Sequence, residues 1–286
     1  MKSYYVISRA INYGKTQVAL GGSDSALLDA QLLLQHVLGC DRQYLYMHPE
    51  QGLDDQQWQN YRTLIEKRRD GYPVAHLVGF RDFWDLTLAV NDSTLIPRPD
   101  SEILVEQALL LALKDDAKVL ELGTGTGAIA LALANERPRW QLTALDKSAE
   151  AVQLATTNRD RNGLTDRLTL LQSDWFAALK AAQRFDLIIS NPPYIDPDDA
   201  HLQLGDVRFE PRSALVADDQ GYADLRFIIE QAPEHLNPGA WVMLEHGFAQ
   251  GPKVRAFFSE KGYEKVNTVT DYANLDRVTF AQWIND

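Results

Sequence analysis

A single cysteine, Cys40, stands among 286 residues. That excludes an internal disulfide and a cysteine-based zinc centre. Basic residues are also in short supply: 28 Lys and Arg face 40 Asp and Glu, for a net charge of −12. A chain that grips nucleic-acid backbones carries the opposite balance, so no direct nucleic-acid binding is expected. No apolar run approaches the length of a membrane span, and Met1-Lys2-Ser3-Tyr4-Tyr5 lacks the apolar centre of a signal peptide. The expectation is a cytoplasmic protein without membrane attachment. Internal repeats and low-complexity tracts are absent, and the histidines, His36, His48, His76, His201, His235 and His246, show no metal-ligand spacing. No metal site is expected. What remains is ordinary for a soluble globular chain, with 45% hydrophobic and 24% charged residues and room for a large domain with a small companion. An acidic surface suits a small-molecule ligand or a basic protein partner, although solubility alone also accounts for it.

The first 75 residues read as helices. Ser23-Asp24-Ser25 offers N-caps to a segment with apolar Leu27, Leu28, Leu34, Val37 and Leu38, ended by Gly39. A second segment starts at Asp54-Asp55, carries Trp58, Tyr61, Leu64 and Ile65 on one face and stops at Gly71. Lys67, Arg68 and Arg69 fall in its last turn, where they complement the helix dipole or dock a partner. This part is expected to be a small helical recognition domain, spanning residues 1–75. Over 76–97, Trp84, Leu86, Leu88 and Val90 alternate with Asp85, Thr87 and Ala89, which predicts a β-hairpin linker. Arg98-Pro99-Asp100-Ser101-Glu102 then has the Pro, Asp, Ser and Glu of a helix start.

From 98 to 286, strands and helices alternate with short links, the pattern of a doubly wound α/β sheet. Strands are expected at Val119–Leu122, Leu142–Asp146, Leu168–Leu171, Phe185–Ser190 and Trp241–Glu245, with a terminal antiparallel hairpin over Val266–Val269 and Val278–Phe280. Ligands of such sheets bind beyond the carboxyl ends of the strands. Four candidates sit there. Gly123-Thr124-Gly125-Thr126-Gly127 forms a tight turn that brings backbone N–H groups to a ligand. Asp146 is placed to accept hydrogen bonds from ribose hydroxyls, and Trp175 to flank an adenine ring. Last, Asn191-Pro192-Pro193-Tyr194 ends a strand whose prolines cannot extend the ladder. It leaves an amide, backbone carbonyls and an aromatic ring, a set suited to a planar NH2 group; a plain strand-terminating turn is the alternative. Together the four predict a nucleoside-containing ligand. Gly123-x-Gly125-x-x-Ala128 also satisfies the dinucleotide fingerprint, so the glycines alone do not choose between NAD and S-adenosylmethionine. The fourth strand does, because hydride transfer has no use for an NH2 clamp.

Glu121-Leu122 with the glycine turn, together with Asn191-Pro192-Pro193-Tyr194, resembles the class I S-adenosylmethionine-dependent amino-methyltransferases. Within these, Arg98-Pro99-Asp100-Ser101-Glu102, Ser173-Asp174-Trp175-Phe176 and Val207-Arg208-Phe209-Glu210-Pro211 resemble the peptide chain release factor glutamine methyltransferases. Ser101 stands where members of that family often carry Thr. The resemblance implies a Rossmann-like fold with S-adenosylmethionine held by Gly123, Thr124, Gly125, Thr126, Gly127, Asp146, Trp175 and Asn191. It implies methyl transfer to the side-chain nitrogen of a glutamine in the Gly-Gly-Gln motif of release factors, the expected partners. Asn191 Oδ1 and the Pro192 carbonyl would accept the two amide protons, with Tyr194 stacked on the amide plane. Asn191, Pro192 and Tyr194 are thus the expected catalytic residues, and Pro193 completes the substrate contact. Two other substrates fit the same clamp: a ribosomal-protein glutamine, whose enzymes lack the acids after Arg98-Pro99, and a flipped-out adenine. A non-catalytic nucleoside-binding module is a further alternative. A monomer is expected.

Overall fold

Small residues let the first helices approach closely. The computed structural model describes residues 5–285, so Met1–Tyr4 of the N-terminal stretch considered above lie outside the described residues. One compact unit comprises the chain through Phe80 together with His201–Phe209; the other comprises Arg81–Ala200 and Glu210 onward. In the first unit, α1 (Ile7–Leu20), α2 (Ala26–Leu38), α3 (Arg42–Met47), α4 (Asp55–Arg69) and α5 (Val74–Val78) enclose a core that includes Ile7, Ala10, Leu33, Leu34, Tyr61 and Ile65. The sequence reading does not single out α1, whose buried stripe of Ile7, Ala10, Gly14 and Val18 is half small residues. Gly14 belongs there by necessity: a Cβ would lie 2.1 Å from Tyr61 Oη and 2.9 Å from Ala30 Cβ.

The expected apolar face of α2 needs correction. Leu27 and Leu28 are 44% and 45% exposed, while Ala26, Ala30, Leu33 and Leu34 face inward, because the close contact with α1 selects alanine. Ser23 and Ser25 make no cap either; both hydroxyls donate to the Asp29 carboxylate, at 2.8 Å each. At α4 the expected cap is present as a reciprocal Asp54–Gln57 capping box. Arg68, in its last turn, donates to the Tyr72 carbonyl and forms ion pairs with Asp29 (2.7 Å) and Asp206 (2.9 Å). It therefore supports the helix end and also holds the His201–Phe209 segment within this unit.

The second unit opens with the hairpin of β1 (Phe80–Phe83), whose first residue ends the first unit, and β2 (Leu86–Ala89). Trp84, read from sequence as a strand residue, instead heads the turn at φ 54°. Two anchors hold it there: its backbone N–H donates to Glu102 and its indole N–H to Glu136. After α6 (Glu102–Leu110) come β3 (Lys118–Leu122), α7 (Ala128–Glu136), β4 (Gln141–Asp146), α8 (Ala149–Arg161), β5 (Leu168–Gln172) and β6 (Phe185–Ser190). A long connection follows, then α9 (Asp218–Gly221), α10 (Ala223–Gln231), β7 (Leu236–Glu245), α11 (Gly251–Lys261), β8 (Glu264–Thr270) and β9 (Asp276–Gln282).

The seven strands lie in the order β5-β4-β3-β6-β7-β9-β8, parallel except for β9, which is antiparallel to both neighbours. Alternate residues feed two cores. Val119, Leu142, Leu187 and Met243 pack with α6 and α7, and Leu120, Leu145, Ile188 and Val242 pack with α10 and α11. Strand β6 is buried on both faces over its whole length, as suits its apolar Leu187-Ile188-Ile189 centre, and its one charge, Asp186, accepts from the Lys118 N–H and from Asn237. Register then sets the site. Leu122 pairs with Leu145 and Ser190, and Ser190 with Leu244. The residues that follow, Gly123, Asp146, Asn191 and Glu245, therefore leave four adjacent strands at one level, around the switch between β3 and β6. Among the described residues no helix is long and apolar enough to cross a membrane.

Candidate active site

Beyond these strand ends lies a cavity of about 480 Å³. Of the residues singled out in the sequence, Gly123, Thr124, Gly125, Thr126, Asp146, Trp175, Asn191 and Pro193 line it. Gly127, Pro192 and Tyr194 do not. Gly127 is the residue before α7, at φ 85°, Pro192 is buried, and the Tyr194 hydroxyl is turned to the buried Glu245.

The glycine turn has φ values of 68°, 55° and 85° at Gly123, Gly125 and Gly127, the left-handed region where a side chain is costly. Its shape is held from beneath. Thr124 donates its backbone N–H to the Leu145 carbonyl and its hydroxyl to Glu121. Glu121 also accepts from the Ala130 N–H, at 3.2 Å. Burial pushes the Glu121 carboxyl up to about 8, so near neutral pH it is mostly protonated.

Asp146 is anchored to the same turn. One oxygen accepts from the Gly125 N–H at 2.8 Å and the other from the Ser148 N–H at 2.9 Å. Burial raises its pKa against these bonds. Each oxygen has a second lone pair, so a carboxylate held rigidly from behind still has acceptor capacity for the cavity. Trp175 is held at φ 48° with Asp174 beside it, and Asp174 is paired to Lys147 at 3.0 Å. Thr94, which sequence reasoning did not select, lines the same space. It is 2% exposed and its hydroxyl has no hydrogen-bond partner among the described residues. A buried hydroxyl without a partner in a cavity wall fits a polar ligand. With Asp146 and the glycine turn, it makes a donor and acceptor set suited to a nucleoside bearing hydroxyls.

The other side of the cavity is built from side chains far apart in sequence. Asn191 Nδ2 donates to Ser101 Oγ at 3.0 Å, and Ser101 Oγ donates to Glu245 Oε2 at 2.7 Å. Tyr194 Oη donates to Glu245 Oε1 at 3.2 Å. Glu245 is 1% exposed, and burial pushes its carboxyl up to about 7. The same burial, with the Glu245 charge close by, raises the Tyr194 hydroxyl above its ordinary value. Arg277 approaches Asp100 at 3.5 Å and is anchored to Asp271 at 2.9 Å.

Arg98-Pro99-Asp100-Ser101-Glu102 thus does more than open a helix. Ser101 makes no side-chain cap and supplies the link to Glu245; Glu102 receives the Trp84 N–H; Arg98 pairs with Glu210 at 2.5 Å. Glu210, whose side chain is fully buried, also accepts the Ile96 N–H. Sequence reasoning placed Ser101 and Glu210 in motifs without giving either a role at the site, and did not select Glu245. For Glu245 a signal existed: Trp241-Val242-Met243-Leu244-Glu245 is an apolar strand ending in an acid, the pattern that drew attention to Asp146. The backbone after Asn191 is pinned as well, since the Tyr194 and Ile195 N–H groups both donate to the Leu215 carbonyl.

Comparison with known proteins gives matches over nearly the whole chain. A family model described as the PrmC N-terminal domain matches residues 9–79, and one described as the methyltransferase small domain matches 100–212. A release factor glutamine methyltransferase from Shewanella oneidensis is 52% identical over 278 residues, covering 97% of this chain and 96% of the relative. The protein of that name from Escherichia coli K12 is 50% identical over 264 residues, covering 92% and 95%. Among solved structures, a methyltransferase from Pyrococcus furiosus superposes with a TM-score of 0.53 at 20% identity, covering 70% of this chain and 90% of that one, which speaks to the fold alone.

Proposed function

The chain belongs to the release factor glutamine methyltransferases, and from that premise we propose that it methylates the side-chain nitrogen of a release-factor glutamine at the cavity beside Asn191. The observation that carries the assignment of the site is the direction of the Asn191 amide. Its nitrogen is committed to Ser101, which leaves Oδ1 as an acceptor on a residue that lines the cavity.

The chemistry needs little more than acceptors. A glutamine nitrogen is a poor nucleophile because its lone pair is delocalised into the carbonyl. Asn191 Oδ1 and the Pro192 carbonyl accept hydrogen bonds from its two N–H groups, which shifts electron density back to nitrogen and orients it. S-adenosylmethionine, when bound, supplies a methyl group on a sulfonium and leaves as a neutral thioether. Asp146, the turn from Gly123 to Gly127, Thr94 and Trp175 are the groups that would hold it: the carboxylate for ribose hydroxyls, the backbone and Thr94 hydroxyl for further polar atoms, the indole for the adenine face. Most of the acceleration comes from orientation and fixed dipoles. No strong base is required, since the nitrogen becomes acidic as the new bond forms and releases one of its two protons to solvent.

In the same reading, residues 1–75 recognise the release factor, 76–97 join them to the catalytic part, and 98–286 perform the transfer. In support, the cavity lining runs from Phe83 to Asp224, wholly outside the first 75 residues. A translation factor as substrate places the reaction in the cytoplasm, with the enzyme acting as a monomer. The test is to incubate the protein with methyl-labelled S-adenosylmethionine and a release factor, a ribosomal-protein fraction or DNA, and to locate the label by mass spectrometry. Label on the Gly-Gly-Gln glutamine is expected. Label confined to a ribosomal protein or to adenine overturns the substrate assignment.

A further inference from the structure

Asparagine presents one end as donor and the other as acceptor, and the two ends are nearly equal in shape. A site that uses the oxygen must therefore prevent the amide from turning over. Asn191 sits at the cavity edge, and its own backbone does not decide which end faces the substrate. The decision rests on what the other end meets.

The chain of partners leads to one buried carboxylate. Asn191 Nδ2 donates to Ser101 Oγ and Ser101 Oγ donates to Glu245 Oε2. An ionised carboxylate only accepts, so it obliges the Ser101 hydroxyl to point its hydrogen at Glu245 and its lone pairs at Asn191. Lone pairs demand the NH2 end of the amide. The second oxygen of Glu245 takes the Tyr194 hydroxyl, so the first and last residues of Asn191–Tyr194 answer to the same group.

We propose that Glu245 is a positioning residue for methyl transfer: as a carboxylate it sets the direction of hydrogen bonding through Ser101, and so keeps Asn191 with its oxygen available to the substrate amide. The inference rests on the reading of Asn191 as the acceptor and adds the device that orients it. Protonation of Glu245 reverses the logic. A carboxylic acid can donate to Ser101, Ser101 can then donate to Asn191, and the amide is free to turn its nitrogen outward.

The charged and titratable groups that act on Glu245 are Tyr194 after β6, Asp100 before α6 and Arg277 on β9, while His246, the next residue along the chain, is buried and its pKa is lowered chiefly by that burial. Arg277 is tied to Asp271, remains cationic throughout and favours the carboxylate; Asp100 opposes it. Burial dominates and places the transition at about 7. The oriented form is therefore the one present on the alkaline side.

The test uses Glu245→Gln, Ser101→Ala and Ser101→Thr in the full-length protein, with Asn191→Ala as reference. Glu245→Gln and Ser101→Ala are expected to lower kcat about tenfold to a hundredfold, the scale of partners that orient a reacting group, with the KM for S-adenosylmethionine unchanged. Ser101→Thr, which keeps the hydroxyl, restores the rate. In the parent, kcat rises with pH through about 7; in Glu245→Gln that rise is gone. In the cofactor-free protein, the 15N side-chain signal of Asn191 titrates over the same range, and in Glu245→Gln it does not. Should Glu245→Gln fail to fold, Ser101→Ala carries the same readouts. Parental kcat in Glu245→Gln or Ser101→Ala, beside an inactive Asn191→Ala, overturns the role of Glu245 and leaves the reading of Asn191 standing. An active Asn191→Ala overturns both.

Discussion

The two sides of the cavity are made in different ways. The side from Gly123 to Asp146 is built largely by backbone: a left-handed turn, a helix start, and a carboxylate tethered to two nearby N–H groups. The side around Asn191 is built by side chains drawn from three distant places in the chain, Ser101, Asn191 and Glu245, meeting through hydrogen bonds of 3.0 and 2.7 Å. The first side suits a ligand recognised by shape and hydroxyl groups. The second suits a reaction, because it commits one end of the Asn191 amide to Ser101 and leaves the other end free at the cavity. Binding and chemistry are therefore expected to separate under mutation.

The largest effect should come from Asn191→Ala. Removing the acceptor should cost about 10²–10³ in kcat, the scale found when one preorganised hydrogen-bonding group is lost from an active site. Thermal stability should stay close to the parent's. Steady-state kinetics at saturating cofactor checks this, and a loss confined to KM would erase the distinction between the two sides. Asp146→Ala should do the converse, weakening S-adenosylmethionine binding by about 1.5–3 kcal/mol as hydrogen bonds to a charged group are lost. Calorimetry measures it directly; unchanged affinity would remove Asp146 from the cofactor side.

The last effect falls on stability, not on activity or binding, and concerns Glu121, beneath the glycine turn. Its folded-state pKa of about 8 lies above the ordinary carboxyl value of 4.5. Between those values the folded state keeps a proton that the unfolded state has lost. The stabilisation is complete below about 4.5 and is lost as pH rises through about 8. Glu121→Gln removes this ionisation, so melting temperature should decline less between pH 5 and 8 than in the parent, as thermal scans across that range would record. An identical decline in both would show that Glu121 does not hold its proton in the folded state.

The same contrast explains what the sequence made legible. The parallel strands, the terminal hairpin, the glycine turn and Asp146 follow from local pattern: apolar runs, glycine spacing and an acid at a strand end. Asn191–Tyr194 was visible because two prolines close a buried strand. Ser101 and Glu245 were not, because their meaning lies in a contact between positions 144 residues apart. Ser101 was masked by its resemblance to a helix cap, and Thr94 by its setting in a loop. Helix α1 escaped notice for a different reason: its inward face is partly alanine and glycine, chosen for close approach, so it carries little hydrophobic signal. Apolar character drew attention to Leu27 and Leu28, yet they lie on the outer face of α2, because its inner face is partly alanine as well.

The central claim is that the Asn191 oxygen, held outward by Ser101, activates the substrate amide. Asn191→Asp tests it most directly. Aspartate keeps the size and the acceptor oxygens, loses the donor that Ser101 requires, and adds a negative charge beside a cationic cofactor. Single-turnover rates on a release factor, at saturating S-adenosylmethionine, should place Asn191→Asp above Asn191→Ala and well below the parent. An aspartate variant no faster than the alanine one would contradict the acceptor role assigned to Asn191.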